Sequence, residues 1–120
     1  MTSLSTGRAI AFIEAKSSRR DIELAISSRK ALSGIDPLIE LSVEKAPGRL
    51  LEIPVIMPMA IFAKNAGRDY FIEATATGMR GLVVAGALAA FLREAAKDGA
   101  FGLTNFEVVH ESGGRFLYIG

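Results

Sequence analysis

The chain has 120 residues, 50% of them apolar, and its mean hydropathy is +0.33. This length predicts one domain over residues 1–120. Because a small domain exposes much of its surface, the apolar content also predicts a buried interface between subunits. Fourteen basic and thirteen acidic residues, no cysteine and one histidine argue against nucleic acid as a partner and exclude disulfides, thiolate nucleophiles and multi-histidine or cysteine-ligated metal sites.

A strand and a helix are the first predicted elements. Residues Ala9–Ala15, "AIAFIEA", have the length and residue types of a buried strand. Ser18 is suited to cap the helix that follows, with Asp21 three positions on, as in a capping box. Gly34 and then Pro37 end this helix, because glycine tolerates a left-handed backbone and proline cannot continue a helix.

The middle of the chain predicts a hairpin. Apolar and polar residues alternate through Leu38–Ala46, as in a strand with one buried face. Pro47-Gly48 fits the centre of a type II turn, and residues 50–62 form a second strand that is apolar on both faces. Because Pro54 and Pro58 lack the N–H that a ladder needs, we expect this strand at a sheet edge, where it can pair with another subunit.

The second half predicts a strand at Tyr70–Ala76, a helix from about Met79 to Lys97 that stops at Gly99, and a hairpin that turns at residues 112–114. The element order is therefore β-α-β-β-β-α-β-β. This order favours a two-layer α+β fold, in which two helices pack on one face of a largely antiparallel sheet.

Two segments bear on location. The N-terminal residues contain too short an apolar run for a signal peptide, so we expect a cytoplasmic protein. The longest nearly uncharged run, Met79–Leu92, has 14 residues. Because a helix needs roughly 20 apolar residues to cross a bilayer, no membrane span is expected.

The segment "DYFIEATATGMRG" joins a predicted strand to the second helix and forms the main candidate site. Glu73, Thr75 and Thr77 share one strand face, which becomes polar toward the helix. Thr77 is suited to cap this helix, and Gly78 to adopt the positive φ of a tight corner. The N–H groups of residues 79–81 then point outward with the positive end of the helix dipole, a setting that binds phosphate or carboxylate.

Arg80 strengthens this hypothesis, because a cation in the first helical turn opposes the dipole. It pairs with a bound anion or with Glu73; alternatively, Thr77 only caps the helix and Arg80 reaches solvent. Gly78 and Gly81 are only a fragment of a dinucleotide-binding fingerprint, so no cofactor is predicted. "GMRG" has the spacing of a nucleic-acid-binding GXXG loop, but that loop lies between helices, whereas a strand precedes it here.

The second helix is apolar around almost its whole circumference, which predicts that it is enclosed on most sides. Gly81, Ala85 and Ala89 are spaced by four residues and form a strip of small side chains. Such a strip permits close approach of another backbone. Two interpretations stay open: a seam between subunits, or a core helix whose small residues make room for the first helix.

Two further groups of residues are candidates for chemistry. Arg19 and Arg20 lie in the first turn of the first helix, and with Arg8 and Lys16 they form a local excess of positive charge. This excess either contacts an acidic ligand or is a solvated surface. His110 is the one side chain that ordinarily titrates near neutral pH, and it acts either as a general base or structurally at the end of a hairpin.

Two hypotheses follow. The first is a small homo-oligomeric protein that binds a small anionic ligand or serves as an interaction module, and that assembles through its apolar edge strand and small-residue helix. The second is an enzyme with a pocket at residues 73–81, completed across a subunit interface, in which Glu73 or His110 moves a proton and Arg80 stabilises negative charge. Beside this catalytic pair, the candidate ligand-binding residues are Thr75, Thr77, Gly78, Arg80, Gly81, Arg19 and Arg20.

Overall fold

A computed structural model describes residues 6–33, 35–45, 70–110 and 115–119. These residues form five strands and two α-helices. In chain order they are β1 (Thr6–Ala15), α1 (Arg19–Ser33), β2 (Glu40–Lys45), β3 (Tyr70–Thr77), α2 (Gly81–Lys97), β4 (Leu103–His110) and β5 (Arg115–Ile119). A short 3₁₀ turn, Ala100–Gly102, connects α2 to β4.

The five strands form one sheet in the order β2-β3-β1-β4-β5, and all four pairings are antiparallel. Both helices contribute to one hydrophobic core on the face of β1 that carries Ala9, Ala11 and Ile13. The α+β fold with two helices on one face of an antiparallel sheet is thereby confirmed.

The start of α1 is set by a local hydrogen-bond exchange. Ser18 Oγ accepts a hydrogen bond from the Asp21 N–H at 3.3 Å and donates one to Asp21 Oδ2 at 2.9 Å. This exchange satisfies an N–H group that the first turn leaves without an intrahelical partner. The predicted capping residue is therefore confirmed, and the helix buries Ile22 and Ile26.

The predicted alternation in β2 is also confirmed. Ile39 and Val43 are buried, whereas the side chains of Glu40, Ser42 and Glu44 are exposed. The other features predicted for the two hairpins lie outside the described residues. These are the turn at Pro47-Gly48, the strand at residues 50–62 with Pro54 and Pro58, and the turn at residues 112–114; Gly34, the predicted stop of α1, also lies outside them.

The second helix ends as predicted but begins later. Its last residue is Lys97, and Gly99 follows with φ 70° and donates its N–H to the Ala96 carbonyl at 3.1 Å. A glycine in this left-handed conformation is a common helix stop. The first helical residue is Gly81, two positions after the predicted start at Met79.

The centre of the sheet is buried on its second face as well. Ile10 and Val109 are paired across β1 and β4 and, with Phe12, lie outside the core beneath the helices, yet each is only 1% exposed. The Phe12 ring lies 6.3 Å from that of Phe71 on the neighbouring strand. The strand β1 is therefore enclosed on both sides, which explains why its sequence is apolar without interruption from Ala9 to Ile13.

Candidate functional site

The corner between β3 and α2 has a different construction from the one expected. Arg80, not Thr77, is the N-cap residue of α2; its backbone is extended, with φ −78° and ψ 152°, and its side chain makes no capping hydrogen bond. Thr77 is the last residue of β3 and is exposed. The prediction that Thr77 caps the helix is wrong. Gly78 does adopt the expected positive φ, at 83°.

The corner is shaped by close contact with the start of β1. A Cβ atom placed on Gly7 would lie 2.2 Å from the Met79 carbonyl oxygen and 2.9 Å from the Gly81 nitrogen. Glycine is therefore the only residue type that fits at position 7, because any side chain there would overlap backbone atoms of residues 79–81. Gly81 is buried, and its nitrogen lies beside Gly7 of β1.

Backbone hydrogen bonds form within the first turn of α2. The N–H groups of Val83 and Val84 both donate to the Arg80 carbonyl, at 3.0 and 3.1 Å. Arg80 is exposed and forms no ion pair with any described residue. Arg80 is thus an exposed cation at the start of α2.

Glu73 has a partner that the sequence did not reveal. Both Nε and Nη2 of Arg8 contact Oε2 of Glu73, and each side chain is 29% exposed. In the register of β1 and β3, Arg8 lies opposite Thr75 and Ile10 opposite Glu73, so the two charged residues are diagonal neighbours. The predicted pairing of Glu73 with Arg80 does not occur.

His110 is separated from Glu73 by the sheet itself. His110 lies opposite Ala9, on the face that the helices cover, and is 2% exposed. Glu73 lies opposite Ile10, the next residue of β1, and therefore on the other face. One chain does not bring the two candidate catalytic residues together.

The basic residues near the N-terminus are dispersed rather than clustered. Arg19 binds Glu23 at 2.9 Å and Glu44 at 3.5 Å, whereas Arg8 lies on the second face of the sheet. Arg20 is exposed at the start of α1. A groove of about 340 Å³ beside Arg19 carries both signs of charge and is lined by Arg19, Glu23, Ile26, Ser27, Leu41, Ser42, Val43 and Glu44.

The described part of the chain contains neither a candidate metal site nor a candidate membrane-spanning helix. No group of three or more histidine, aspartate or glutamate side chains there is arranged to hold a metal ion. Nor does any described helix combine the length and apolar character that spanning a bilayer requires.

The small-residue strip of α2 belongs to the core. Gly81, Ala85 and Ala89 are buried within the chain, and α2 packs mainly on β1 and β4. We call the buried side of the helix the inner face; its members are Gly81, Val84, Ala85, Leu88, Ala89, Phe91, Leu92 and Ala95. Of the two interpretations left open, the core helix is therefore the correct one, with the sheet rather than α1 as its neighbour.

The opposite side of α2 leaves apolar side chains exposed. We call it the outer face; its members are Leu82, Val83, Gly86 and Ala90. Leu82 is 54% and Val83 50% exposed, and a Cβ atom on Gly86 would have no neighbour within 4 Å. The sequence carried a signal for this face, because Arg93 and Lys97 continue the spacing of Leu82, Gly86 and Ala90 and mark the side turned to water.

Comparison with protein-family models, with curated proteins and with solved structures found no match to the chain. The geometry of the chain itself therefore carries the functional argument.

Proposed function

We propose that this protein is a homo-oligomeric interaction module whose copies associate through the outer face of α2. The observation that carries the proposal is the pair Leu82 and Val83, half exposed side by side on a helix whose next two outward turns hold only glycine and alanine. Contiguous exposed apolar surface of this kind marks a site of protein association. A cytoplasmic location is part of the proposal and suits a chain without cysteine.

The small residues of the outer face favour another helix as the partner. Gly86 and Ala90 leave a shallow depression one turn beyond Leu82, so a second helix backbone can approach closely there. The bulkier Leu82 and Val83 then pack against its flank. Large residues at one end of an exposed helix and small ones at its middle form the ridges and gaps into which a second helix packs.

The alternatives draw less support from the geometry. An enzyme that uses Glu73 and His110 needs them in one pocket, but they lie on opposite faces of the sheet, and Glu73 is already paired with Arg8. At the corner, Arg80 is exposed, but Gly81 is buried with its nitrogen beside Gly7.

Sedimentation equilibrium over a range of protein concentrations tests the proposal. One face of a 17-residue helix covers less than the roughly 800 Å² per partner of a standard interface, so we expect a reversible association that strengthens with concentration. Leu82→Asp should give a monomer at every concentration. Aspartate in the first turn of a helix is favourable to the dipole, so circular dichroism should show an intact fold.

Leu24→Asp is the matched control. Leu24 lies on α1 and is 59% exposed, close to the 54% of Leu82, but it is not part of the outer face of α2. We expect this variant to associate as the natural chain does. A natural chain that is monomeric at all concentrations would overturn the proposal, as would dissociation by Leu24→Asp with no effect of Leu82→Asp.

A further inference from the structure

We propose that β2 binds an extended segment of another protein along its free edge, in the groove between α1 and β2, and that this segment has the pattern basic–apolar–polar–apolar–basic. The inference gives the proposed interaction module a partner. It does not depend on self-association, because the surface is formed by α1 and β2 rather than by α2. Three features carry it: an edge of the sheet, an apolar wall and two exposed carboxylates.

The first feature is the position of β2 in the sheet. It pairs with β3 from Glu40 to Lys45, and no described residue pairs with its opposite side. In an antiparallel ladder every second residue directs its N–H and C=O away from the neighbouring strand. This side of β2 therefore presents the row of hydrogen-bonding groups that an added strand requires, and addition of a strand is a recurrent mode of peptide recognition.

A groove follows this edge along α1. At one end Arg19 contacts Glu44 at 3.5 Å. At the other end Lys30 donates a hydrogen bond to the Ile39 carbonyl, so α1 runs antiparallel to β2. The groove of about 340 Å³ beside Arg19 and another of about 520 Å³ beside Lys30 share Ser27 in their walls. We call the two together the α1–β2 groove; each volume lies within the roughly 300–1,000 Å³ of ligand sites.

The second feature is the apolar wall on the helix side of the groove. Val43 is buried in the core, and Leu41 packs against that core while remaining partly exposed. Ile26 of α1 lines the same groove. Residues that face each other on neighbouring strands lie on the same side of the sheet and pack together. The residues of an added strand that face Leu41 and Val43 should therefore be apolar.

The third feature is the pair of carboxylates on the other face of β2. Glu40 and Glu44 are exposed there, with Ser42 between them. Glu40 forms no ion pair with any described residue. The Glu44 side chain is 49% exposed and contacts Arg19 only at 3.5 Å. Because opposite charges at facing positions stabilise a pair of strands, lysine or arginine should face each glutamate.

These features define one occupant. By residue class, the segment Glu40–Glu44 reads the same in both directions, so its complement is the same pattern for a parallel and for an antiparallel partner strand. A second copy fits less well. Antiparallel β2 strands that pair at Ser42 would place Glu40 beside Glu44 of the partner subunit, and like charges at facing positions are destabilising.

Titration of the isotope-labelled chain with the peptide Ser-Lys-Val-Thr-Val-Lys-Ser, blocked at both ends, tests the inference. We expect saturable changes in the amide resonances of β2 and of the side of α1 that lines the groove. The same peptide with glutamate in place of both lysines should bind about tenfold more weakly, because both charge pairs become repulsive.

Methylation of the peptide backbone separates strand addition from binding by side chains alone. The two valines and the two lysines direct their N–H groups to opposite edges of the peptide strand. Methyl groups on both nitrogens of one pair should abolish binding, and methyl groups on both nitrogens of the other pair should leave the affinity within about threefold. Equal effects of the two modifications would show that the peptide does not extend the sheet.

Glu40→Lys is the matched change on the protein. It should weaken binding of the lysine peptide about fivefold and strengthen binding of the glutamate peptide by a similar factor, since one charge pair changes sign in each case. Glu94→Lys is the control, because Glu94 is an exposed glutamate on α2, with its side chain 63% exposed. This variant should have the affinity of the natural chain for both peptides.

The results also distinguish this inference from the proposed self-association. Leu82→Asp should bind the lysine peptide as the natural chain does. Binding by a chain that never self-associates would support the peptide site although the proposed assembly had failed. Dissociation of the assembly by the peptide would identify a second copy as the occupant of the groove. That result would overturn the inference, as would equal affinity for the two peptides or no binding at millimolar concentration.

Discussion

The two sides of α2 carry the same local pattern and have opposite environments. Gly81, Ala85 and Ala89 recur every four residues on the inner face, whereas Leu82, Gly86 and Ala90 recur with the same spacing one position later. The first set is buried within the chain, and Leu82 in the second is 54% exposed. The spacing of small residues therefore predicts that one side of a helix permits close packing, but not which neighbour packs against it.

The sheet explains why the inner face is the one that is buried. Four alanines lie on the helix-covered side of β1 and β3, namely Ala9, Ala11, Ala74 and Ala76, and each is at most 3% exposed. Short side chains on both surfaces bring the helix backbone close to the strands. The small residues of the inner face and those of the sheet belong to the same hydrophobic core, which is closely packed as protein interiors are.

Removal of a large side chain should separate the two faces most clearly. Leu88 on the inner face is fully buried, and Leu88→Ala should lower the free energy of unfolding by about 4 kcal/mol, since it leaves a cavity. Leu82→Ala on the outer face should change it by no more than about 0.5 kcal/mol. Urea unfolding at concentrations too low for association measures both, and equal losses would contradict the assignment of the faces.

A substitution at Gly7, where β1 contacts the start of α2, should lower stability nearly as much. Gly7→Ala places a methyl group 2.2 Å from the Met79 carbonyl oxygen, so the corner must move. We expect a loss of about 3 kcal/mol, at the upper end of overpacking effects. Thr6→Ala, at the exposed neighbouring position, is the control, and thermal unfolding followed by circular dichroism should show a lower midpoint for Gly7→Ala only.

Enlargement of a small residue should distinguish the two strips directly. Ala85→Leu overfills the space between α2 and the sheet, since Ala85 is 0% exposed, and should cost about 2 kcal/mol of stability. Ala90→Leu, on the exposed side, should leave the folded monomer intact. Comparable destabilisation by the two substitutions would show that both strips are enclosed in the same way.

The smallest expected effect on stability is that of Gly86→Ala, and it is an increase. Gly86→Ala adds a methyl group where no atom lies within 4 Å and replaces a poor helix former inside α2. The dilute monomer should therefore gain about 1 kcal/mol of stability. In the proposed assembly the same methyl group enters the contact between helices, so sedimentation at high concentration should show weaker association. A gain in both quantities would argue against close helix contact at Gly86.

Features that depend on neighbouring residues were predictable. The exchange between Ser18 and Asp21, the alternation in β2 and the stop at Gly99 each involve residues within a few positions of one another. Their geometry follows from backbone conformation and local hydrogen bonds. The α+β fold with helices on one face followed from the order of these elements.

The candidate site was predicted less well, because its contacts join distant parts of the chain. Arg8 and Glu73 are 65 residues apart, and only the register of β1 with β3 makes them partners. The same register sets Glu73 and His110 on opposite faces of the sheet. Thr77 has the better side chain for an N-cap. The helix nevertheless begins at Gly81, where residues 79–81 contact Gly7.

The sequence by itself thus determined where most of the described strands and helices lie, and that α2 has small residues along its length. Only the tertiary structure decided which of two equally spaced strips faces the alanines of the sheet and which faces water. The physical reason is that burial is a property of two surfaces. A strip of helix residues forms only one side of the contact. Strand order and register determine which residues form the other side.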